Sequence, residues 1–131
     1  MSEEFSPEEK SLANAVNTFS KKCYQASVDG GWWHNLETNE PKERNKAEMI
    51  CLMHSELSEA MEGVRKNLMD DKLPNRKMEE VEMADTVIRI MDYCAGHGLD
   101  LGGAMIEKIK FNAQRADHKI ENRAKENGKQ F

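Results

Sequence analysis

The chain has 131 residues, of which 33% are charged, and its net charge is -5. This length predicts a single domain over residues 1–131, with residues 1–5 and 126–131 loosely held. The acidic balance argues against a nucleic-acid partner, and no apolar run is long enough to span a bilayer. We therefore expect no membrane partner. The three widely separated cysteines are typical of reduced thiols, so we also expect a cytoplasmic protein.

Apolar residues recur with helical periodicity and sheet patterns are nearly absent, so the sequence predicts an all-α fold. The first helix is expected to begin at Ser6, which with Glu9 forms a capping-box pattern, and to end at Gly30 and Gly31. Its apolar stripe consists of Leu12, Val16, Phe19, Cys23 and Ala26. Residues 30–43 then form a long loop that carries both tryptophans, and such loops are often functional.

Three further helices follow this loop. The second is expected from about Arg44 to Leu68, the third from about Arg76 to Ala95, and the fourth from Leu101 to Lys125 with Asp100 as its N-cap. The predicted buried side of the second helix consists of Ile50, Met53, Leu57, Met61, Val64 and Leu68. Apolar residues surround more than half of the third helix, which is therefore expected to be central. The predicted architecture is a four-helix bundle in which helices two and three form an antiparallel hairpin.

Two pairs of carboxylates lie on the hairpin helices, each pair three residues apart. They are Glu56 with Glu59 in "ELSE", and Glu82 with Asp85 in "EMAD". Residues at this spacing share one helix face. The midpoint between positions 56 and 85 falls between residues 70 and 71, in the expected turn. The midpoint between positions 59 and 82 falls at the same place. The four carboxylates are therefore expected to converge at one height of the hairpin.

Four carboxylates that converge between helices repel one another unless cations or protons neutralise them. Ligand sets made only of oxygen favour Mg²⁺ or Mn²⁺, and such sites commonly receive phosphates. A solvated face with intrahelical salt bridges is the alternative, because single pairs of this kind are common on acidic helices. A line of charges on the mostly apolar third helix favours the metal site, since buried charges need partners. That line consists of Glu82, Asp85, Arg89 and Asp92.

Two further groups of side chains are candidates for substrate binding. A polar stripe on the fourth helix could hold phosphate oxygens, or could be a solvated cationic face near the end of the helix. It consists of Lys108, Asn112, Arg115 and Lys119. Trp32 and Trp33 could stack on a nucleobase or form a hydrophobic lid. The four histidines show no metal-ligand spacing and are expected at surface, cap or core positions.

As a set, these motifs resemble the MazG-like all-α nucleoside triphosphate pyrophosphohydrolases, a superfamily that also includes dimeric dUTPases and dCTP pyrophosphatases. The likeness spans roughly residues 30 to 119. It covers "ELSE", "EMAD", the K-x-x-x-N-x-x-R pattern of the fourth helix, and the segment "WWHNLETNEPKERN". It implies a homo-oligomer, either a dimer or a tetramer, that controls a nucleotide pool.

The resemblance also implies a reaction, in which a metal-activated water converts a (deoxy)nucleoside triphosphate to the monophosphate and pyrophosphate. The carboxylates implied to bind Mg²⁺ and to act in catalysis are Glu56, Glu59, Glu82 and Asp85. The residues implied to contact the phosphates or the sugar are Lys108, Asn112 and Arg115. Which carboxylate acts as base stays open.

This chain departs from its relatives in two places. Many relatives have an additional Glu one turn before the first motif, where this chain has Met53, so the number of metal ions is not transferred. The segment after Arg115 lacks the Tyr-Pro ending of the dCTP-type relatives, so their base preference is not transferred either.

Two other classes of protein compete with this interpretation. A di-iron carboxylate bundle needs Glu three residues before His, and no histidine of this chain has that neighbour. A non-enzymatic helical interaction module is the second alternative. It predicts that divalent metals have no effect on stability, whereas a native metal site predicts stabilisation.

Overall fold

The computed structural model describes residues 4–131, most of which lie in α-helices. The helices are α1 (Pro7–Asp29), α2 (Lys46–Lys66), α3 (Met78–Gly96), α4 (Leu101–Gln114) and α5 (Ile120–Arg123). Within the described residues there are isolated β-bridges but no β-strand, so the all-α class is confirmed. No helix in this part of the chain is long and apolar enough to cross a membrane.

The chain divides into two compact units. The central unit comprises residues 18–99 and holds α2, α3 and the tryptophan loop. The terminal unit comprises residues 4–17 and 100–131 and holds α4 and α5, while α1 contributes to both units. The single domain stays a prediction. Of the segment 1–5 that we expected to be loosely held, residues 1–3 lie outside the described residues.

The predicted starts of α1 and α4 are confirmed by their capping bonds. The backbone N–H of Glu9 donates to Ser6 Oγ over 3.1 Å, and the Ser6 N–H donates to Glu9 Oε1 over 2.8 Å, which completes the capping box. At α4, Asp100 Oδ1 accepts from the N–H of Gly103 over 2.8 Å. Both caps satisfy backbone donors that a helix start leaves without partners.

The helices α2 and α3 pack against each other, and their bounds lie within two residues of the predicted ones. They approach closely at Gly63, where a Cβ atom would lie 2.9 Å from Met78 Cβ. In the connecting turn, the buried carboxylate of Asp70 accepts from the N–H groups of Lys72 and Leu73 over 3.0 and 2.8 Å. A small residue at the contact and an internally bonded turn therefore allow the tight connection.

The prediction of one long fourth helix is wrong, because α4 ends at Gln114. Arg115 adopts an extended backbone, and its guanidinium donates two hydrogen bonds to Asp117, over 3.1 and 2.8 Å. Residues two apart do not face each other on an α-helix, so this ion pair requires the chain to leave the helix. A short 3₁₀ turn and α5 follow. Arg115 and Lys119 therefore do not continue the stripe of Lys108 and Asn112 on one helix.

The predicted buried side of α2 is also wrong for the single chain, because most of its large apolar side chains are 42 to 59% exposed. They are Ile50, Leu57, Met61, Val64 and Leu68. The buried residues of α2 are instead Met49, Ala60 and Gly63. On α3, Val87 and Ile88 are exposed as well, so this helix is not enclosed as expected. The helical periodicity therefore identified apolar faces on these two helices, but other parts of the same chain bury only a fraction of those faces.

Candidate functional site

Three of the predicted carboxylates meet between α2 and α3 in the central unit. One oxygen from each of Glu56, Glu59 and Glu82 lies within 4.8 Å of the other two. Glu56 and Glu59 share a helix face, and Glu82 occupies the height on α3 that the sequence register indicated. We call these three residues the acidic cluster. Asp85, one turn further along α3, lines the same cavity as Glu56.

Glu82 is the most enclosed residue of the acidic cluster, with 8% of its surface exposed. Its Oε2 atom is buried and has no hydrogen-bond partner among the described residues. Burial above all, together with the neighbouring carboxylates of Glu56 and Glu59, raises the pKa of Glu82 to about 8. Burial and the charge of Glu56 also raise the pKa of Asp85, while the Arg89 charge acts in the opposite direction. Among the described residues, Arg89 pairs with Glu56, but Glu82 lies among like charges with no cation bonded to it.

The donor atoms of the acidic cluster suit a hard divalent cation. All are carboxylate oxygens, which Mg²⁺ and Mn²⁺ prefer over the nitrogen and sulfur ligands typical of zinc sites. The orphaned Oε2 of Glu82 is a buried acceptor, and buried acceptors in folded proteins nearly always have a partner. The residues present therefore fit the metal that the sequence predicted.

A cavity of about 620 Å³ lies beside the acidic cluster. Glu56 and Asp85 contribute its acidic side, while Trp32, Leu52 and Ile88 contribute apolar surface. The volume falls within the range of small-molecule sites, and a mostly apolar wall with a few polar groups is their usual composition. The cavity is large enough for a nucleotide-sized ligand that approaches the carboxylates.

Arg89 forms an ion pair with a member of the acidic cluster. Its Nε atom donates to Glu56 Oε1 over 3.0 Å, and its side chain lines the cavity. Sequence reasoning placed Arg89 in the charged line of α3 but did not name it as a site residue. The signal was its position one turn after Asp85, which puts it on the face that carries the carboxylates.

A second charged group of the central unit is formed by Trp33, Arg44 and Asp92, of which Arg44 and Asp92 line the same cavity. Trp33 Nε1 donates to Asp92 Oδ1 over 2.9 Å, and Arg44 Nη1 donates to Asp92 Oδ2 over 3.3 Å. The Arg44 guanidinium also lies 5.1 Å from the centroid of the Trp33 ring. We call these residues the Asp92 triad. Both oxygens of Asp92 have partners, unlike those of Glu82.

The two tryptophans occupy different environments, although they are adjacent in sequence. Trp33 is 9% exposed and packs edge-on against Tyr24 and His97, and Gly96 leaves room for its ring. Trp32 is 62% exposed and lines the cavity. The stacking and lid interpretations of this pair both stay predictions, but Trp32 is the residue that can reach a ligand in the cavity.

The remaining predicted substrate residues lie in the terminal unit, whereas the carboxylates lie in the central unit. Lys108 Nζ lies 4.9 Å from the centroid of the Phe111 ring. Asn112 Oδ1 is buried with no hydrogen-bond partner among the described residues. Arg115 pairs with Asp117, and Lys119 is exposed before α5. Their role in substrate binding stays a prediction.

Comparison of the chain with models of protein families, with curated proteins and with solved structures finds no match. The resemblance to the MazG-like proteins therefore rests on the sequence motifs alone.

Proposed function

We propose that this chain is a MazG-like, Mg²⁺-dependent (deoxy)nucleoside triphosphate pyrophosphohydrolase that acts on a cytoplasmic nucleotide pool. The proposal includes the four-helix arrangement of that superfamily, with the metal site on the α2–α3 hairpin. The observation that carries it is a buried Glu82 oxygen that has no hydrogen-bond partner in residues 4–131. It lies within a cluster of three carboxylates beside a nucleotide-sized cavity. A merely solvated acidic face would not enclose one of its carboxylates in this way.

The roles of the residues follow from their positions. Glu56, Glu59, Glu82 and Asp85 would hold the metal, which would supply a coordinated water of lowered pKa and offset phosphate charge. One of these four carboxylates also takes the proton of the attacking water as its oxygen bonds to the α-phosphorus and the bond from phosphorus to the leaving pyrophosphate breaks. Trp32 offers an aromatic face to the nucleobase.

The test is a hydrolysis panel. The protein is incubated with each common and damaged dNTP and NTP, with Mg²⁺, with Mn²⁺ or with EDTA, and products are separated by chromatography. We expect monophosphate and pyrophosphate from one or a few substrates, only with metal. Glu56→Gln should lower turnover at least about 100-fold, because it weakens a contact worth several kcal/mol in the transition state. Mg²⁺ at about 100 times its Kd should also stabilise the protein by about 2.7 kcal/mol.

The matched control is Glu62→Gln on the same helix. Glu62 pairs with Arg65 and Lys66 over 2.8 and 2.9 Å and is not part of the acidic cluster. This variant should keep full turnover. No hydrolysis of any nucleotide, together with no effect of Mg²⁺ on melting, would reject the enzyme in favour of the helical interaction module.

The exposed apolar side chains of α2 and α3 favour a homo-oligomer. The single chain leaves Leu57, Met61 and Val64 of α2 and Val87 of α3 exposed, and contiguous apolar faces of this kind mark association surfaces. We propose that a second copy covers them in a dimer or a tetramer. Sedimentation at micromolar concentration should give a mass of two or four chains, and Leu57→Glu should shift it toward the monomer. A monomeric wild-type protein would contradict the proposal.

A further inference from the structure

We propose that Arg89 is an exchangeable phosphate ligand, held by Glu56 in the metal-free protein and transferred to the triphosphate when a divalent cation occupies Glu56. The inference rests on the proposed function, because it assigns a residue to the phosphate-binding step of the same site. Neither the family pattern nor the predicted substrate residues include Arg89. The contacts of Arg89, and the contrast with the other arginine of the cavity, support the inference.

In the ion pair between Arg89 and Glu56, a guanidinium group binds a carboxylate that is also a candidate metal ligand. Arg89 Nε donates to Glu56 Oε1 over 3.0 Å, and Glu56 contributes to the acidic cluster with a carboxylate oxygen. A divalent cation at the cluster would compete with the guanidinium for Glu56 and would repel it electrostatically. The pair is therefore compatible with the metal-free protein and is weakened when the metal binds.

The surroundings of Arg89 allow it to move. Its side chain is 38% exposed, and in the part of the chain that the structure describes, Glu56 is the partner of its one ion pair. The Nη1 and Nη2 groups have further N–H donors beyond the Nε bond. Because Arg89 lines the cavity, a released guanidinium stays beside the space that a ligand would occupy. Arginine binds phosphate oxygens through two parallel hydrogen bonds, so a triphosphate is a suitable new partner.

Arg44 lines the same cavity but cannot take this role. Its guanidinium pairs with Asp92, which is not part of the acidic cluster, and lies over the Trp33 ring. Metal binding at the cluster removes neither partner, so Arg44 stays fixed. Of these two arginines, Arg89 is the one whose partner is also a candidate metal ligand.

Two calorimetric titrations test the exchange without relying on turnover. The first measures the affinity for Mg²⁺ alone, and the second measures the affinity for inorganic tripolyphosphate in saturating Mg²⁺. Arg89→Gln should bind Mg²⁺ roughly tenfold more tightly, because a competing positive charge is gone. The same variant should bind tripolyphosphate at least about tenfold more weakly, because charge-assisted hydrogen bonds are lost. Arg89→Lys, which keeps the charge but not the paired donors, should lie between wild type and Arg89→Gln in the second titration.

Arg65→Gln is the matched control, since Arg65 pairs with Glu62 on the exposed surface of α2. It should change neither affinity. Opposite shifts of the two affinities in Arg89→Gln support the exchange. If Arg89 were merely structural, its loss would weaken the binding of both Mg²⁺ and tripolyphosphate. Weaker Mg²⁺ binding in Arg89→Gln, unchanged tripolyphosphate binding, or no tripolyphosphate binding by the wild type would each overturn the inference. Failure of the enzymatic proposal is distinguishable, because it appears as the absence of nucleotide hydrolysis whatever these titrations show.

Discussion

The helix α3 carries two buried carboxylates ten residues apart, and their surroundings are opposite. Glu82 and Asp92 are each 8% exposed. Asp92 accepts hydrogen bonds from Trp33 and Arg44, so a neutral donor and a full positive charge satisfy it. Glu82 instead lies beside Glu56 and Glu59, and its Oε2 atom has no hydrogen-bond partner among the described residues.

The comparison shows that burial of a charge does not by itself indicate a functional site. A buried carboxylate with its counter-charge and donors in place is a structural element, because the fold already provides what it needs. A buried carboxylate surrounded by like charges is destabilised in the folded protein, and it is retained where a ligand supplies the missing partner. The acidic cluster is therefore the candidate site, and the Asp92 triad is part of the framework around the cavity.

The largest expected effect is on stability, and it separates the two carboxylates directly. Asp92→Ala should lower the free energy of unfolding by about 3 to 5 kcal/mol, because it leaves the charge of Arg44 buried without a partner. Glu82→Gln should leave the metal-free protein at pH 8 as stable as the wild type or more stable, because it removes a charge that burial disfavours. Urea denaturation with EDTA present measures both values.

Asp92→Asn serves as a milder variant if Asp92→Ala does not fold. Its amide oxygen can still accept from Trp33 Nε1, so it should lose less stability than Asp92→Ala while lacking the charge that Arg44 needs. If Glu82→Gln were as destabilising as Asp92→Ala, the contrast between the two carboxylates would be wrong.

A more specific effect, of at most about 1.4 kcal/mol for each pH unit, is expected in the pH dependence of stability. The pKa of Glu82 is raised to about 8 in the folded protein, from an ordinary value of 4.5. Between these two values the folded state binds a proton that the unfolded state releases, so rising pH favours unfolding. The contribution of Glu82 to the free energy of unfolding should therefore fall with rising pH across this window, by up to about 1.4 kcal/mol per pH unit.

The measurement is urea denaturation in EDTA at several pH values between 5 and 8, for the wild type and for Glu82→Gln. The wild type minus variant difference should fall as pH rises, and saturating Mg²⁺ should reduce the fall, because the metal favours the ionised carboxylate. Parallel profiles of the two proteins would show that Glu82 has an ordinary pKa and is not enclosed as described.

Local signals in the sequence were enough to predict much of the fold. The capping box of Ser6 and Glu9 and the N-cap at Asp100 depend on neighbouring residues alone, so their patterns could be read directly. The end of α4 was missed because helical periodicity continues past Gln114 in sequence, and the Arg115–Asp117 pair that interrupts it has no strong sequence signature. The exposed faces of α2 were missed because periodicity does not say which molecule covers an apolar surface.

Only those parts of the site that depend on the register of the α2–α3 hairpin could be predicted from the sequence. The symmetric positions of Glu56, Glu59 and Glu82 around the turn indicated their convergence, which the structure brings about. The bond between Trp33 and Asp92 joins residues 59 positions apart and depends on the path of the loop between α1 and α2. Periodicity carries no information about such a path, so the different environments of the two tryptophans were not predictable.

The smallest expected effect distinguishes these adjacent tryptophans. Trp33→Phe keeps the ring packing against Tyr24 but removes the donor to Asp92, so it should cost about 1 to 3 kcal/mol of stability. Trp32→Phe should change stability by less than about 0.5 kcal/mol, because the side chain is exposed. The stability losses of the two Phe variants are measured by urea denaturation.

On the proposed function, Trp32→Ala should raise KM for the preferred nucleotide, whereas Trp33→Phe should leave KM unchanged. Steady-state kinetics measures KM for both variants. Equal stability losses in the two Phe variants would contradict the division of the pair into one framework residue and one cavity residue. That division matters because it places the Asp92 triad outside ligand binding, although Asp92 and Arg44 line the same cavity as Glu56.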